Sequence, residues 1–144
     1  MKIRPATPLD AEQLALIEST QPHAAQWGVK GWAGEIISAA SWVWCYEKDG
    51  EVLGFLALRL AAGFCEILNF AVHPKVCRQG VGFRLLSRAL SFVQASGGST
   101  VTLEVCIHNR AALSLYEKAG FKAQGRRANF YGEGQDALIM GLNL

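Results

Sequence analysis

The sequence predicts a mixed α/β fold of the α+β kind: one central sheet of about seven strands, mostly antiparallel, flanked by four helices. Three observations predict it. Blocks with strand chemistry alternate with blocks whose apolar residues recur at helical spacing. The middle strands are joined by tight-turn signals, above all Asp49-Gly50. A length of 144 residues with 51% hydrophobic and 18% charged residues suits a single globular domain over 1–144, with no internal repeat or linker.

Met1–Arg4 is a short strand candidate. Thr7-Pro8-Leu9-Asp10 opens a helix, with Thr7 as N-cap and Pro8 at the first helical position. Leu14, Ile17 and Glu18 continue it at helical spacing, and Pro22 stops it. A second helix is predicted from about Val29 to Ala40, with Trp32, Ile36 and Ile37 on one face. Strand formers follow in Trp42–Tyr46. Asp49-Gly50 turns the chain into Val52–Leu60, and a turn at Gly63 leads to Phe64–Val72, which His73-Pro74 ends. Val81–Ala95 is amphipathic, with Val81, Leu85, Leu86, Ala89, Leu90 and Val93 on one face, and Gly97-Gly98 terminates it. Thr100–Cys106 is a strand, Asn109–Ala119 a helix with Asn109 as N-cap and Gly120 as its stop, and Lys122–Arg126 and Asp136–Leu142 are the last strands. This order gives a layered fold around one sheet.

Composition narrows the function classes. A net charge of +2 makes no case for a nucleic-acid groove or a membrane patch. The small basic cluster of Lys122, Arg126 and Arg127 reads as a solvated or substrate-facing patch. No apolar run reaches the roughly 18–20 residues of a membrane span, and Met1–Pro5 opens no signal region. The four cysteines form no CxxC pair, no histidine pair has zinc-ligand spacing, and no metal is expected. Cys45, Cys65 and Cys106 lie in apolar runs and are expected to be buried and inert. Cys77 lies in a loop beside Arg78, where it is either reactive or incidental. The expectation is a reduced, cytoplasmic protein, a monomer or weak homodimer.

The loop with the most chemistry is Arg78-Gln79-Gly80-Val81-Gly82-Phe83, between a strand and a helix. Its glycines permit a tight turn and a close ligand approach. The first N–H groups of the helix it opens are unpaired and lie at the positive end of the helix dipole, which suits a pyrophosphate. A helix start that merely needs conformational freedom would have the same appearance. The segment lacks the Gly-Lys-Ser/Thr ending of a Walker loop, and Leu85 occupies the third glycine position of the dinucleotide fingerprint.

Arg78-Gln79-Gly80-Val81-Gly82 resembles the acetyl-CoA signature Gln/Arg-x-x-Gly-x-Gly/Ala of the GNAT N-acetyltransferases. Asn109-Arg110-Ala111-Ala112-Leu113-Ser114-Leu115-Tyr116-Glu117-Lys118-Ala119-Gly120-Phe121 is similar to the same family's Asn-x-x-Ala-x-x-Leu-Tyr-x-x-x-Gly-Phe helix. The segments Asn69–Pro74, Leu103–Val105, Arg126–Tyr131 and Asp136–Met140 resemble the RimI-type branch, bacterial enzymes that acetylate the N-terminal alanine of a small-subunit ribosomal protein. His23-Ala24-Ala25-Gln26-Trp27 resembles that branch's loop between the first two helices. It has Gln26 and Gly28 around Trp27 where the branch has Pro-Trp-Ser/Thr, and Phe130-Tyr131 replaces Tyr-Tyr.

The resemblance implies the GNAT fold, acetyl-CoA as co-substrate, and transfer of acetyl to a protein N-terminus, that of a ribosomal protein. Only the neutral amine is nucleophilic. Roughly a tenth of an α-amine with a pKa near 8 is neutral at pH 7, against about 0.04% of a lysine near 10.4, so an α-amine asks less of its base. Glu104, on an otherwise apolar strand, points opposite to Leu103 and Val105; alternation alone reads it as solvent-facing, and the resemblance implies the base. Tyr116 either packs on the sheet or, as the resemblance implies, donates a proton to the leaving sulfur. Asn109 caps its helix, contacts the cofactor, or does both. The resemblance also implies that Phe70, Ala71 and Val72 line the acetyl and pantetheine arm, on a bulged strand that splays from its neighbour and frees N–H groups for an oxyanion hole. Trp27, Glu35 and Tyr131 are weaker candidates for gripping the peptide, with packing or surface roles as the competing reading. Two further readings stay open: acetylation of a lysine or small amine, and acyl-CoA binding without turnover.

Overall fold

The period-2 and period-3.6 blocks resolve, in a computed structural model describing residues 2–144, into seven strands and four α-helices. Met1, which the predicted first strand includes, lies outside the described residues. The elements are β1 (Lys2–Pro5), α1 (Ala11–Ser19), α2 (Gly28–Ile36), β2 (Ser41–Lys48), β3 (Glu51–Ala61), β4 (Phe64–Val72), α3 (Val81–Ala95), β5 (Thr100–Cys106), α4 (Arg110–Lys118), β6 (Lys122–Arg127) and β7 (Ala137–Asn143). They form one sheet in the order β1-β2-β3-β4-β5-β7-β6. Every pairing is antiparallel except β4 with β5. Asp49 and Gly50 both have positive φ, 53° and 78°, as a type I′ hairpin turn requires.

Both faces of the sheet are covered, so its middle strands are buried on both sides. Along β2, Trp44 and Tyr46 join a core under α3 with Leu56, Leu58, Leu85 and Leu86. Val43 and Cys45 point the other way, into a second core with Leu14, Ile17, Trp32 and Phe55 under α1 and α2. Cys45, Cys65 and Cys106 are buried, and burial pushes the Cys45 and Cys65 thiols up to about 12, so they stay protonated and inert; Cys77 is exposed. Among the described residues, no helix is long and apolar enough to cross a membrane.

Two helix boundaries differ from the sequence reading. The second helix ends at Ile36 rather than near Ala40, and Ile37 is 73% exposed instead of sharing the face of Trp32. Glu35, in its last turn, is bonded by Arg59 and by the Ser41 hydroxyl at the start of β2. Pairing Ser41 with Arg59 in the sheet requires extended chain there. The first helix opens with a 3-10 turn at Pro8–Asp10, and α1 closes at Ser19, before Pro22 is reached.

Asp10 anchors that entry. It accepts the Thr7 N–H at 2.7 Å and N–H groups of the two terminal Arg4 guanidinium nitrogens at 2.9 Å. The Arg4 hydrogen bonds hold the Asp10 carboxyl below its ordinary value, against the opposing effect of burial. A carboxylate with a lowered folded-state pKa stabilises the fold fully above its unfolded value, about 3.9. That contribution is lost as pH falls through the lower folded value. Asp10→Asn is expected to cost roughly 1.5–3 kcal/mol at pH 7. In urea melts across pH, the gap from wild type should narrow as pH falls below the unfolded value and through the lower folded one.

Candidate active site

The sheet opens between β4 and β5. They pair only where Phe64–Glu66 face Thr100–Thr102, and no pairing continues beyond that rung. A bulge in β4 lies next to the opening: Asn69 faces Ala57 and Ile67 faces Leu58, which leaves Leu68 as the extra residue. The His73 N–H donates to the Leu53 carbonyl at 2.8 Å. By antiparallel alternation, Ala71 and Asn69 then sit on the bonded rungs with β3, and the N–H groups of Phe70 and Val72 face the gap. The gap widens into a cavity of about 880 Å³, a size that holds a small-molecule ligand.

Residues from both faces of the sheet meet there. Tyr116 enters from α4 on the α3 side, with its ring edge-on to Phe121 at 5.6 Å and 6.2 Å from Phe70. Glu104 enters from β5 on the opposite face, since its neighbours Leu103 and Val105 fill the α3-side core. Tyr131 comes from the β6–β7 connection and meets the His23 ring of the α1–α2 loop at 6.1 Å. Burial pushes the Tyr116 phenol well above its ordinary value, and Tyr131 adds to this, so Tyr116 keeps its proton throughout the neutral range. Burial, then the Glu104 charge, raises Tyr131 as well. Asn109 lines the cavity and also caps α4, accepting the Ala112 N–H at 3.3 Å.

The 78–83 segment forms the turn from β4 into α3. Arg78 and Gly80 have φ of 65° and 79°, and no side chain caps the helix. The opening N–H groups of α3 are left for another acceptor. A Cβ on Gly82 would lie 3.3 Å from Leu115 Cδ2 and 3.7 Å from Phe70 Cζ, so α3 starts tight against α4 and the cavity wall. The Val81 side chain is core; Gln79 and Phe83 are exposed, and the Lys118 ammonium lies 4.8 Å from the Phe83 ring centre. Among the described residues, no group of three or more His, Cys, Asp or Glu side chains could hold a metal.

The family model for the GNAT acetyltransferases matches residues 10–121. The chain belongs to this family. An Escherichia coli (strain K12) ribosomal protein bS18-alanine N-acetyltransferase is 35% identical over 98 residues, 66% of this chain and 66% of that protein. An N-alpha-acetyltransferase of Sulfurisphaera tokodaii is 31% identical over 107 residues, 65% of this chain and 64% of that protein. The matched stretch is thus just under two thirds of each relative's length. The crystal structure of the Escherichia coli ribosomal-protein-S18-alanine N-acetyltransferase superposes with a TM-score of 0.89 at 29% identity, covering 99% of this chain and 92% of that one. The fold is therefore the GNAT fold.

Against this GNAT framework, the structure brings Glu104, Tyr116, Asn109, Phe70 and Tyr131 to one cavity. It does not bring every predicted residue there. The Ala71 side chain packs into the core under α1 and α2 and its backbone bonds β3, whereas the Val72 side chain packs on the α3 side near Gly82. Trp27 packs tilted against Trp32, ring centres 4.7 Å apart, and the loop's contribution to the cavity comes from Gln21–Ala25 instead. Glu35 is spent on Arg59 and Ser41, away from the cavity. Two further residues take roles that the sequence reading does not assign them. Arg127, seen in the sequence as part of a basic cluster, donates to Glu104 Oε1 at 2.8 Å. Glu18 is 1% exposed and accepts the Gly28 N–H at 2.7 Å and the Asn69 amide at 3.1 Å, tying the α1–α2 loop to the bulged strand.

Proposed function

We propose that this GNAT domain moves an acetyl group from acetyl-CoA to the α-amine of a protein N-terminus, with an alanine-starting ribosomal protein as the substrate. The observation that carries the reading is the approach of Tyr116 and Glu104 to one gap from opposite faces of the sheet. An acyl donor fed from the α3 side and an amine fed from the Glu104 side would meet between them. The α1–α2 loop and the β6–β7 connection, through His23 and Tyr131, wall the amine side.

The uncapped start of α3, with Gly80 left-handed and Gly82 free of a Cβ, suits a pyrophosphate, and Arg78 adds charge. Acetyl-CoA supplies a carbonyl activated by its thioester. The N–H groups of Phe70 and Val72 facing the gap are donors for the carbonyl oxygen as it gains charge. Glu104 takes the amine proton, directly or through one water, and the Tyr116 hydroxyl protonates the departing sulfur.

Gly80→Val forces a branched side chain to φ 79°, at a cost of roughly 1–2 kcal/mol. The Kd for CoA, read by isothermal titration calorimetry, is expected to rise about tenfold. The function itself is tested with acetyl-CoA and two peptides, one starting with alanine and one N-terminally blocked but bearing lysine. The first should turn over and the second should not. Turnover of the blocked peptide alone would replace this reading with lysine acetylation, and CoA binding without turnover of either would remove the enzyme.

A further inference from the structure

Arg127 lies at the end of β6, two strands away from Glu104, with β7 between them. Two strand spacings are roughly 9–10 Å, near the limit of an extended arginine. The register shows how the span is made. Arg127 faces Ala137 on β7, which in turn faces Cys106 on β5, while Glu104 sits one same-face step away opposite Ile139. The short Ala137 side chain leaves room for the guanidinium to cross to Oε1 of Glu104.

The same guanidinium stacks on Phe130, 4.2 Å from its ring centre, and Phe130 packs edge-on against Tyr131. That connection is itself pinned: Asp136 bonds Arg126 at 2.6 Å and the Asn129 N–H at 2.9 Å, and the Tyr131 N–H bonds the Gln135 carbonyl at 3.0 Å. Arg127 thus stands between the base and the wall that faces the incoming amine. A free carboxylate could swing on its rotamers and would pair with an ammonium group in its unreactive protonated form. Held at Oε1 and partly neutralised, Glu104 keeps Oε2 for the cavity.

We infer that Arg127 is a positioning residue for acetyl transfer: it fixes Glu104 toward the amine and couples it to the Phe130-Tyr131 wall. The inference rests on the reading of Glu104 given above. The Arg127 side chain is 51% exposed and that of Glu104 30%, so the pair contributes little to stability and its loss should leave the fold intact.

The test uses Arg127→Gln, Arg127→Lys, Glu104→Gln and the double variant Arg127→Gln/Glu104→Gln, assayed with an alanine-starting peptide and by calorimetry with CoA. Arg127→Gln is expected to lower kcat roughly 10–100-fold, with the CoA Kd and the melting temperature close to wild type. Arg127→Lys should recover part of the loss. The double variant should be no slower than Glu104→Gln, because both changes remove one unit. A kcat for Arg127→Gln within twofold of wild type would overturn the inference. So would losses that multiply in the double variant, or a loss confined to peptide KM. Inactive wild type would overturn the acetyl-transfer reading and this inference together, whereas active wild type with an active Arg127→Gln would overturn this inference alone.

Discussion

Tyr116→Phe is expected to lower kcat by roughly 10²–10⁴-fold, the range for loss of a positioned proton donor. The Kd for CoA and the stability should change little. The ring contacts with Phe121 and Phe70 involve carbon that phenylalanine keeps, and only the hydroxyl is removed. Burial raises the phenol, so Tyr116 remains an acid at every pH where the fold is expected to work. In the proposed reaction its task is to hand a proton to a sulfur leaving as a thiolate, and no other phenol lining the cavity enters from the α4 side; Tyr131 comes from the opposite wall. Single-turnover rates with a peptide and CoA titrations separate the two effects. A variant within about threefold of wild-type kcat would show that the departing sulfur draws its proton from elsewhere.

Trp32→Ala should produce the largest loss of stability, roughly 3–5 kcal/mol, against a total of about 5–15 kcal/mol for a domain. Trp32 is fully buried, between Trp27 at 4.7 Å and Phe55 at 4.6 Å. Its indole N–H has no hydrogen-bond partner, so the loss is one of packing and not of a polar contact. For the same reason Trp32→Phe should cost much less, since it trades lost volume against removal of an unsatisfied donor. Urea denaturation should show a lower midpoint for the alanine variant with an unchanged slope. Trp32 also holds α2 to the sheet, and α2 follows the loop that walls the cavity, so the alanine variant should also raise the peptide KM.

Much of this architecture can be read locally. Asp49-Gly50 sits between two β-rich runs, and both residues take the positive φ that the hairpin needs. The apolar stripe of Val81–Ala95 and the cap at Asn109 define α3 and α4, because the forces that make them act within a few residues. The 78–83 loop and the tyrosine of α4 belong to short, contiguous patterns and are legible for the same reason. Arg127 is not. Its partner depends on the register of three strands in the order β5-β7-β6, which no local pattern encodes. Glu18 has helical spacing like any face residue, yet its partner Asn69 lies 51 positions away in the chain. Glu35 and Trp27 sit in segments near the loop that lines the cavity, but Arg59 and Trp32 claim their side chains.

In the proposed reaction the amine acetylated is an α-amine, reached from the Glu104 side of the gap. One peptide carrying both a free alanine N-terminus and an internal lysine tests it in a single reaction with acetyl-CoA, read by tandem mass spectrometry. Acetyl on the N-terminal nitrogen with the lysine unmodified is the predicted result. Acetyl on the lysine with a free N-terminus, or an unmodified peptide from protein that binds CoA, would contradict it.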